Sequence, residues 1–112
     1  MRLWLDDLRK PPFGYVWVKT YDEALAALAL TSFDGCTTIS LDHDLAEEHY
    51  SGDFSRAKSG YDIAKFIVEN NIKLDYITVH SFNPVGAENM VALLRSAGYV
   101  VRRVTPQEMY NE

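Results

Sequence analysis

The sequence predicts an α/β fold, a three-layer sandwich built around a mostly parallel five-stranded sheet. Short runs of β-branched and aromatic residues alternate with segments whose apolar residues recur at helical spacing, which is the pattern of strands joined by helices. One run, residues 38–41 (TISL), carries no charged residue, as suits a strand in a sheet that is covered on both faces. Because 112 residues is the size of one domain, we predict a single domain over residues 1–112.

The strands are predicted from runs rich in β-branched, aromatic and other apolar residues. Residues 10–14 contain two prolines and a glycine, so they form a turn between the first two runs. Only about ten residues separate these two runs, which is too few for the usual crossover helix. Either the proline-rich loop replaces that helix or the second strand pairs elsewhere. The predicted strands are residues 2–5, 15–18, 38–41, 76–79 and 99–104.

Three helices are predicted from capping residues and apolar spacing. Thr20 and Glu23 have the separation of a capping box at the start of the first helix. Pro84 suits the first turn of the third helix, and Gly98 lies where a helix-ending glycine belongs. The predicted helices are residues 21–30, 60–70 and 84–97.

For five such strands we predict the flavodoxin-like order 2-1-3-4-5, in which the first, third and fourth strands are central neighbours. Ligands of these sheets bind beyond the carboxyl ends of the strands, at the switch point between the first and third strands. Three of the predicted strands end there in polar side chains, which we therefore expect to share one site. These side chains are Asp6, Asp7, Asp42, His43, Asp44, His80 and Ser81.

The carboxylates of this edge predict a cation site. Four aspartates close together repel one another unless a cation or raised pKa values relieve the repulsion. Oxygen ligands of this kind suit Mg²⁺ or Mn²⁺. In the alternative interpretation, some of these carboxylates cap the turn or helix that follows. The predicted ligands are Asp6, Asp7, Asp42 and Asp44, with Asp42 and one of the first two as the best candidates.

Two of the histidines, His43 and His80, also follow predicted strands at this edge. Imidazoles at such a place act as general acid and base or as metal ligands. A single histidine is more often structural, but two beside carboxylates favour a functional role. The candidate catalytic residues are therefore Asp42, His43 and His80.

A phosphate site is predicted beside the carboxylates. Residues 81–86 join the fourth strand to a helix N-terminus, where free N–H groups favour an anion. The alternative for Asn83 is an ordinary N-cap before Pro84. Arg9 and Lys58 would hold phosphate oxygens, unless they are ordinary solvated charges. The candidate ligand-binding residues are Arg9, Lys58, Ser81 and Asn83.

The composition limits the possible partners. The net charge of −5 argues against non-specific binding of nucleic acid, which needs a basic face. No apolar stretch reaches the ~18 residues of a membrane span. The absence of a leader pattern and the lone Cys36 predict a cytoplasmic protein without an internal disulfide. The polar loop over residues 46–58 is long enough to predict a functional role, and the oligomeric state stays open.

Four segments resemble the family of cyclic-phosphate processing receiver-like domains, a divergent form of the response-regulator receiver fold. They are residues 5–9 (LDDLR), 40–45 (SLDHDL), 60–62 (GYD) and 79–86 (VHSFNPVG). The resemblance covers nearly the whole chain, and it implies a receiver fold that processes cyclic or other nucleotide phosphates in prokaryotic or phage conflict systems. Ordinary receivers carry a lysine at the end of the last strand, where this chain has Arg103 instead, and they lack the two histidines.

These departures favour chemistry on a bound phosphate over phosphorelay signalling. We therefore predict a metal-dependent phosphoesterase that acts on a small, nucleotide-like phosphate, including a cyclic one. The alternatives are a signalling receiver phosphorylated on Asp42, and a non-catalytic module that binds a phosphate ligand or a protein partner.

Overall fold

The computed structural model of the chain describes residues 1–34, 38–44 and 59–111. Its five strands form one sheet in the order β2-β1-β3-β4-β5, which confirms the predicted order. All four strand pairings are parallel, so the sheet is wholly parallel where the sequence predicted a mostly parallel one. The strands are β1 (Arg2–Leu5), β2 (Val16–Val18), β3 (Thr38–Leu41), β4 (Tyr76–Val79) and β5 (Val101–Arg103).

Four helices accompany the sheet within the described ranges. The first extends beyond the predicted end at residue 30, and the fourth was not predicted. Thr20 caps the first helix by accepting the N–H of Glu23, but the Glu23 carboxylate accepts from the N–H of Lys19 instead of Thr20. Gly98 follows the third helix with a φ of 94°, as the sequence predicted for a helix-ending glycine. The helices are α1 (Tyr21–Asp34), α2 (Gly60–Glu69), α3 (Pro84–Ser96) and α4 (Pro106–Tyr110).

The first three helices pack on one face of the sheet. The chain moves in the same direction across the sheet from β2 to β3, to β4 and to β5. Right-handed crossovers therefore place α1, α2 and α3 on the same side. Alternate strand residues point to that side and form the main core with the helices. This core includes Leu3, Leu5, Ile39, Leu41, Ile77, Val79, Leu28, Ile63, Ile67, Met90 and Leu94.

The opposite face has a thinner cover. Its core consists of Trp4, Val104 and Met109, and among the described helices only the short α4 lies there. The connection from β1 to β2, residues 6–15, runs without a helix, which confirms that the proline-rich loop replaces the usual crossover. Two indole N–H groups hold this loop, since Trp4 donates to the Arg9 carbonyl at 2.8 Å and Trp17 donates to the Asp6 carbonyl at 2.7 Å.

None of the described helices is long and apolar enough to span a bilayer. The predictions for Cys36, for Lys58 and for the polar loop over residues 46–58 lie outside the described residues.

Candidate functional site

The polar residues after β1, β3 and β4 continue the sheet by one residue. The Asp42 N–H donates to the Leu5 carbonyl at 3.0 Å, and the His80 N–H donates to the Leu41 carbonyl at 2.9 Å. Because the strand alternation therefore continues, Asp6, Asp42 and His80 belong to the same face as Trp4. This is the face from which the crossover helix is missing.

Asp6, Asp42 and His80 form the inner cluster of the site. Each offers one ligand atom, and these atoms all lie within 4.8 Å of one another. The three residues are 0%, 5% and 0% exposed. Two buried carboxylates beside a buried imidazole are a donor set that could hold a divalent cation.

The Asp6 carboxylate accepts four hydrogen bonds. Its Oδ1 accepts the N–H groups of Leu8 and Arg9, both at 2.8 Å. Its Oδ2 accepts from Arg9 Nη1 and from His80 Nε2, both at 3.1 Å. Burial raises the pKa of Asp6, but the hydrogen bonds from His80, Arg9 and Leu8 outweigh burial and hold this pKa below its ordinary value of 3.8. Asp6 is thus a stable carboxylate even inside the protein.

His80 is fixed on every side. Its ring stacks on Trp4, with centroids 3.8 Å apart and an angle of 6° between the planes. Because the ionised Asp6 carboxylate only accepts, Nε2 of His80 donates to it. The Thr78 hydroxyl donates to Ser40 Oγ at 2.6 Å, which leaves the Ser40 proton free to donate to His80 Nδ1 at 2.8 Å. Both ring nitrogens of His80 are therefore engaged, Nε2 by Asp6 and Nδ1 by Ser40.

Asp42 is the carboxylate of the inner cluster whose ionised form is disfavoured by its surroundings. Burial and then the nearby charge of Asp6 raise the pKa of Asp42 above its ordinary value of 3.8. Its Oδ1 accepts the N–H of His43 at 2.8 Å, and its Oδ2 lies 3.5 Å from Arg9 Nη1. Gly60 at the start of α2 packs closely on this turn, because a Cβ there would lie 1.8 Å from the Asp42 carbonyl oxygen.

His43, Asp44 and Asn83 form the outer cluster. His43 Nδ1 lies 2.8 Å from Asp44 Oδ1, and Asn83 Nδ2 lies 3.4 Å from the same imidazole nitrogen. The His43 ring lies over Gly86 of α3, where any Cβ would come within 2.4 Å of the ring. Asp44 is largely exposed, with 64% of its side chain accessible. The outer cluster is therefore open to solvent while its histidine is held in place.

A cleft of ≈ 300 Å³ adjoins both clusters. Arg9 lies in it with its guanidinium carbon 4.6 Å from the centre of the Phe82 ring. Asn83 confirms its N-cap interpretation, since its Oδ1 accepts the Gly86 N–H at 3.0 Å, so one N–H of this helix start is already used. The residues that line the cleft are Asp7, Leu8, Arg9, Asp42, Asp44, Ser81, Phe82 and Asn83.

The predicted site residues that the structure describes belong to the inner cluster, to the outer cluster or to the lining of the cleft. His80, predicted as an acid or base, lies beside Asp6 and Asp42 in the group that could hold a metal ion. Asp7 and Asp44, predicted as ligands, lie outside the inner cluster and line the cleft. Arg9, Ser81 and Asn83 also line it, whereas His43 lines a neighbouring depression with Ser59 and Tyr61. Lys58 is not among the described residues.

The sequence analysis missed the residues behind His80. Ser40 and Thr78 pair directly across β3 and β4, and Ser40 also pairs with Trp4 of β1. The signal was present, because Ser40 and Thr78 are polar residues inside strands whose neighbours are apolar. Buried hydroxyls of this kind require partners, and here Thr78 donates to Ser40 while Ser40 contacts His80.

The family model of the cyclic-phosphate processing Receiver domain matches residues 1–96. The chain belongs to this family. The matched residues include both clusters and the whole lining of the cleft. No curated protein and no solved structure matches the chain. The family links the receiver fold of this protein to the processing of cyclic phosphates, so its expected ligand contains phosphate.

Proposed function

We propose that this receiver-like domain is a metal-dependent phosphoesterase that hydrolyses a nucleotide-like phosphate, including a cyclic one. The observation that supports the proposal best is the buried group of Asp6, Asp42 and His80, which adjoins a cleft lined by Arg9 and Asn83. Asp42 lines this cleft together with Arg9 and Asn83, so one proposed cation ligand and the proposed phosphate contacts share one space, as the chemistry of a phosphate ester requires.

Asp6, Asp42 and His80 would hold the cation, with Mn²⁺ or Mg²⁺ as the proposed ion. A bound cation of this type supplies charge that polarises the phosphoryl group and lowers the pKa of a water molecule. His80 binds through Nε2 only after that nitrogen has lost its proton. The Ser40 hydroxyl would allow this change, because its oxygen can accept a hydrogen bond from Nδ1–H as well as donate one to Nδ1.

Proton transfer at the substrate is assigned to His43, with Asp44 as its partner. His80 is fully buried and both of its ring nitrogens are engaged, whereas Asp44, the partner of His43, lines the cleft. His43 is partly exposed, and an Nδ1–H that donates to Asp44 leaves Nε2 as a proton acceptor. Hydrolysis of a cyclic diester then breaks one P–O bond, and the proton taken from water is returned to the leaving oxygen.

Arg9, Ser81 and Asn83 are the proposed contacts of the phosphate oxygens. Arg9 offers a planar fork of donors that matches phosphate. The Ser81 hydroxyl accepts the N–H of Asn83 at 3.0 Å, so its own proton is available to a ligand. The Asn83 amide group faces Asp44 at 3.5 Å and lies at the cleft wall.

The test is the release of linear product from a panel of cyclic mononucleotides and dinucleotides in the presence of Mn²⁺. We expect His43→Ala to lower turnover by about 10²–10⁴-fold, the usual contribution of an acid–base group, while Mn²⁺ still raises the melting temperature. We expect His80→Ala to weaken Mn²⁺ binding and turnover together. Arg102→Met, an exposed residue on β5, is the control and should change neither.

Each alternative function has its own result in these experiments. Stoichiometric modification of Asp42 by acetyl phosphate with Mg²⁺, without turnover, would identify a signalling receiver. Tight binding of a nucleotide that is recovered intact after long incubation with metal would identify a binding module. A melting temperature that does not respond to millimolar Mn²⁺ would contradict the metal site itself.

A further inference from the structure

The guanidinium of Arg9 lies between the two carboxylates of the inner cluster. Its Nη1 is 3.1 Å from Asp6 Oδ2 and 3.5 Å from Asp42 Oδ2. Both carboxylates are almost fully buried, whereas the Arg9 side chain is 30% exposed. Among the described residues no buried side-chain polar atom lacks a hydrogen-bond partner, so the inner cluster is already satisfied by this internal cation.

A divalent cation and Nη1 of Arg9 exclude each other at this position. A cation that binds both carboxylates lies about 2.1 Å from an oxygen of each, in the space that the guanidinium nitrogen now fills. Two positive charges at that separation in a buried site repel strongly. Arg9 must therefore leave at least Asp42 Oδ2 and Asp6 Oδ2 when the inner cluster binds a cation.

The backbone of Arg9 is anchored, so its release from the carboxylates would involve the side chain alone. Its N–H donates to Asp6 Oδ1 at 2.8 Å, and its carbonyl accepts the Trp4 indole N–H at 2.8 Å, so the backbone is anchored on both sides. The guanidinium already lies on the Phe82 ring, which is 66% exposed and lines the cleft. Released from the carboxylates, Arg9 keeps this contact and remains in the cleft.

We propose that Arg9 is an exchangeable internal cation, which holds Asp6 and Asp42 in the empty site and moves to the phosphate of the ligand when a divalent cation binds. This proposal rests on the metal site of the proposed function. The phosphate gives the released guanidinium a bidentate anionic partner in place of the carboxylates. Phosphate and cation therefore strengthen each other's binding, and the coupling is reciprocal.

The experiment is calorimetric titration of Mn²⁺ into the full chain, with and without inorganic phosphate and with blank titrations subtracted. Arg9→Met removes the competing charge, so we expect Mn²⁺ to bind about 10-fold more tightly without phosphate. Phosphate should tighten Mn²⁺ binding in the wild type by roughly fivefold more than in Arg9→Met. Arg9→Lys keeps the charge and should bind Mn²⁺ about as weakly as the wild type.

Arg2→Met is the matched control. Arg2 also lies over an aromatic ring, that of Tyr15 at 5.1 Å, but it begins β1 at the opposite edge of the sheet. At a rise of about 3.3 Å per residue it lies about 13 Å along the strand from Asp6, beyond the screening length in ordinary buffer. The control should leave both Mn²⁺ affinity and its response to phosphate unchanged.

Unchanged or weaker Mn²⁺ binding by Arg9→Met, in a chain that binds Mn²⁺ as wild type, overturns the exchange and leaves the metal site intact. Absence of Mn²⁺ binding in both chains overturns the metal site as well. A measurement on the wild type alone covers the case in which the variant does not fold. Addition of diamagnetic Mg²⁺ should shift the side-chain N–H resonance of Arg9, and a resonance that stays in place contradicts the release.

Discussion

The inner and outer clusters lie side by side at the carboxyl end of the sheet, but they differ in how deeply they are buried and in how many partners hold them. Asp6, Asp42 and His80 are buried and each has several partners. His43 and Asp44 are partly or largely exposed and depend mainly on one contact of 2.8 Å. Burial fixes geometry and strengthens charge interactions, whereas exposure permits exchange of protons with a ligand and with water.

Strand alternation explains why neighbours in sequence fall into different clusters. Asp42 extends the strand pattern on the Trp4 face, and His43, the next residue, turns to the opposite side and packs on Gly86 of α3. A single Asp-His step therefore divides a prospective cation ligand from a prospective proton carrier. Residue type alone therefore does not assign a role at this edge, because His80 is fully buried whereas His43 is partly exposed.

The largest expected difference between the clusters is in stability. Asp6→Ala leaves the His80 imidazole and two backbone N–H groups without their shared acceptor, so we expect a loss of ~3 kcal/mol in the free energy of unfolding. Asp44→Ala removes only an exposed carboxylate and should cost about 0.5 kcal/mol. Urea denaturation of both variants measures the contrast, and equal losses would contradict it.

The strands and three of the four described helices could be predicted because their signals are local, and the strand order followed from the fold class. Apolar runs, caps and turn residues of this chain each report on a few neighbouring positions. Helix α4 also had such a signal, since Thr105 and Glu108 form a capping box around Pro106. Its five residues are too few to show apolar residues recurring at helical spacing, so the helix was not predicted. The placement of α1–α3 on one face follows only when the strand order and the crossover hand are combined.

The site could be predicted as an edge but not as two clusters. Sequence places His80 and Asp6 at strand ends, yet their 3.1 Å contact joins residues 74 positions apart. The contact of Ser40 with His80 depends on the register of β3 against β4, and the alternation of apolar residues decides which face a residue lies on but does not distinguish registers that differ by two residues. Arg9 was predicted to bind phosphate, and only the geometry shows it paired with the carboxylates instead.

A smaller contrast concerns the hydroxyl behind the inner cluster. Ser40→Ala leaves Nδ1 of the fully buried His80 without a partner, so we expect Mn²⁺ affinity to fall by about 10–100-fold, the usual effect of losing a residue that orients a metal ligand. Ser96→Ala, on the exposed surface of α3, is the control and should have no effect. Calorimetric titration with Mn²⁺ measures both, and an equal affinity in the two variants would remove Ser40 from the site.

The smallest expected effect is on stability: the two carboxylates of the inner cluster contribute to it with opposite dependence on pH. The folded-state pKa of Asp6 is lowered, so its contribution to stability is present above 3.8 and is lost as the pH falls through the folded-state value. The pKa of Asp42 is raised, so its ionised form at neutral pH costs stability, and this cost disappears as the pH falls through its folded-state value.

Asp42→Asn removes that cost while its amide oxygen can still accept the His43 N–H. We therefore expect the metal-free variant to be more stable than the wild type at neutral pH, and the difference to shrink as the pH is lowered toward about 4. The variant also loses the attraction between the Asp42 carboxylate and Arg9, whose atoms lie 3.5 Å apart. We expect this loss to be smaller than the gain, because burial and the charge of Asp6 raise the pKa of Asp42 more than Arg9 lowers it. Urea denaturation at a series of pH values decides between them, because a variant less stable than the wild type at neutral pH would show that Arg9 more than compensates for the charge of Asp42.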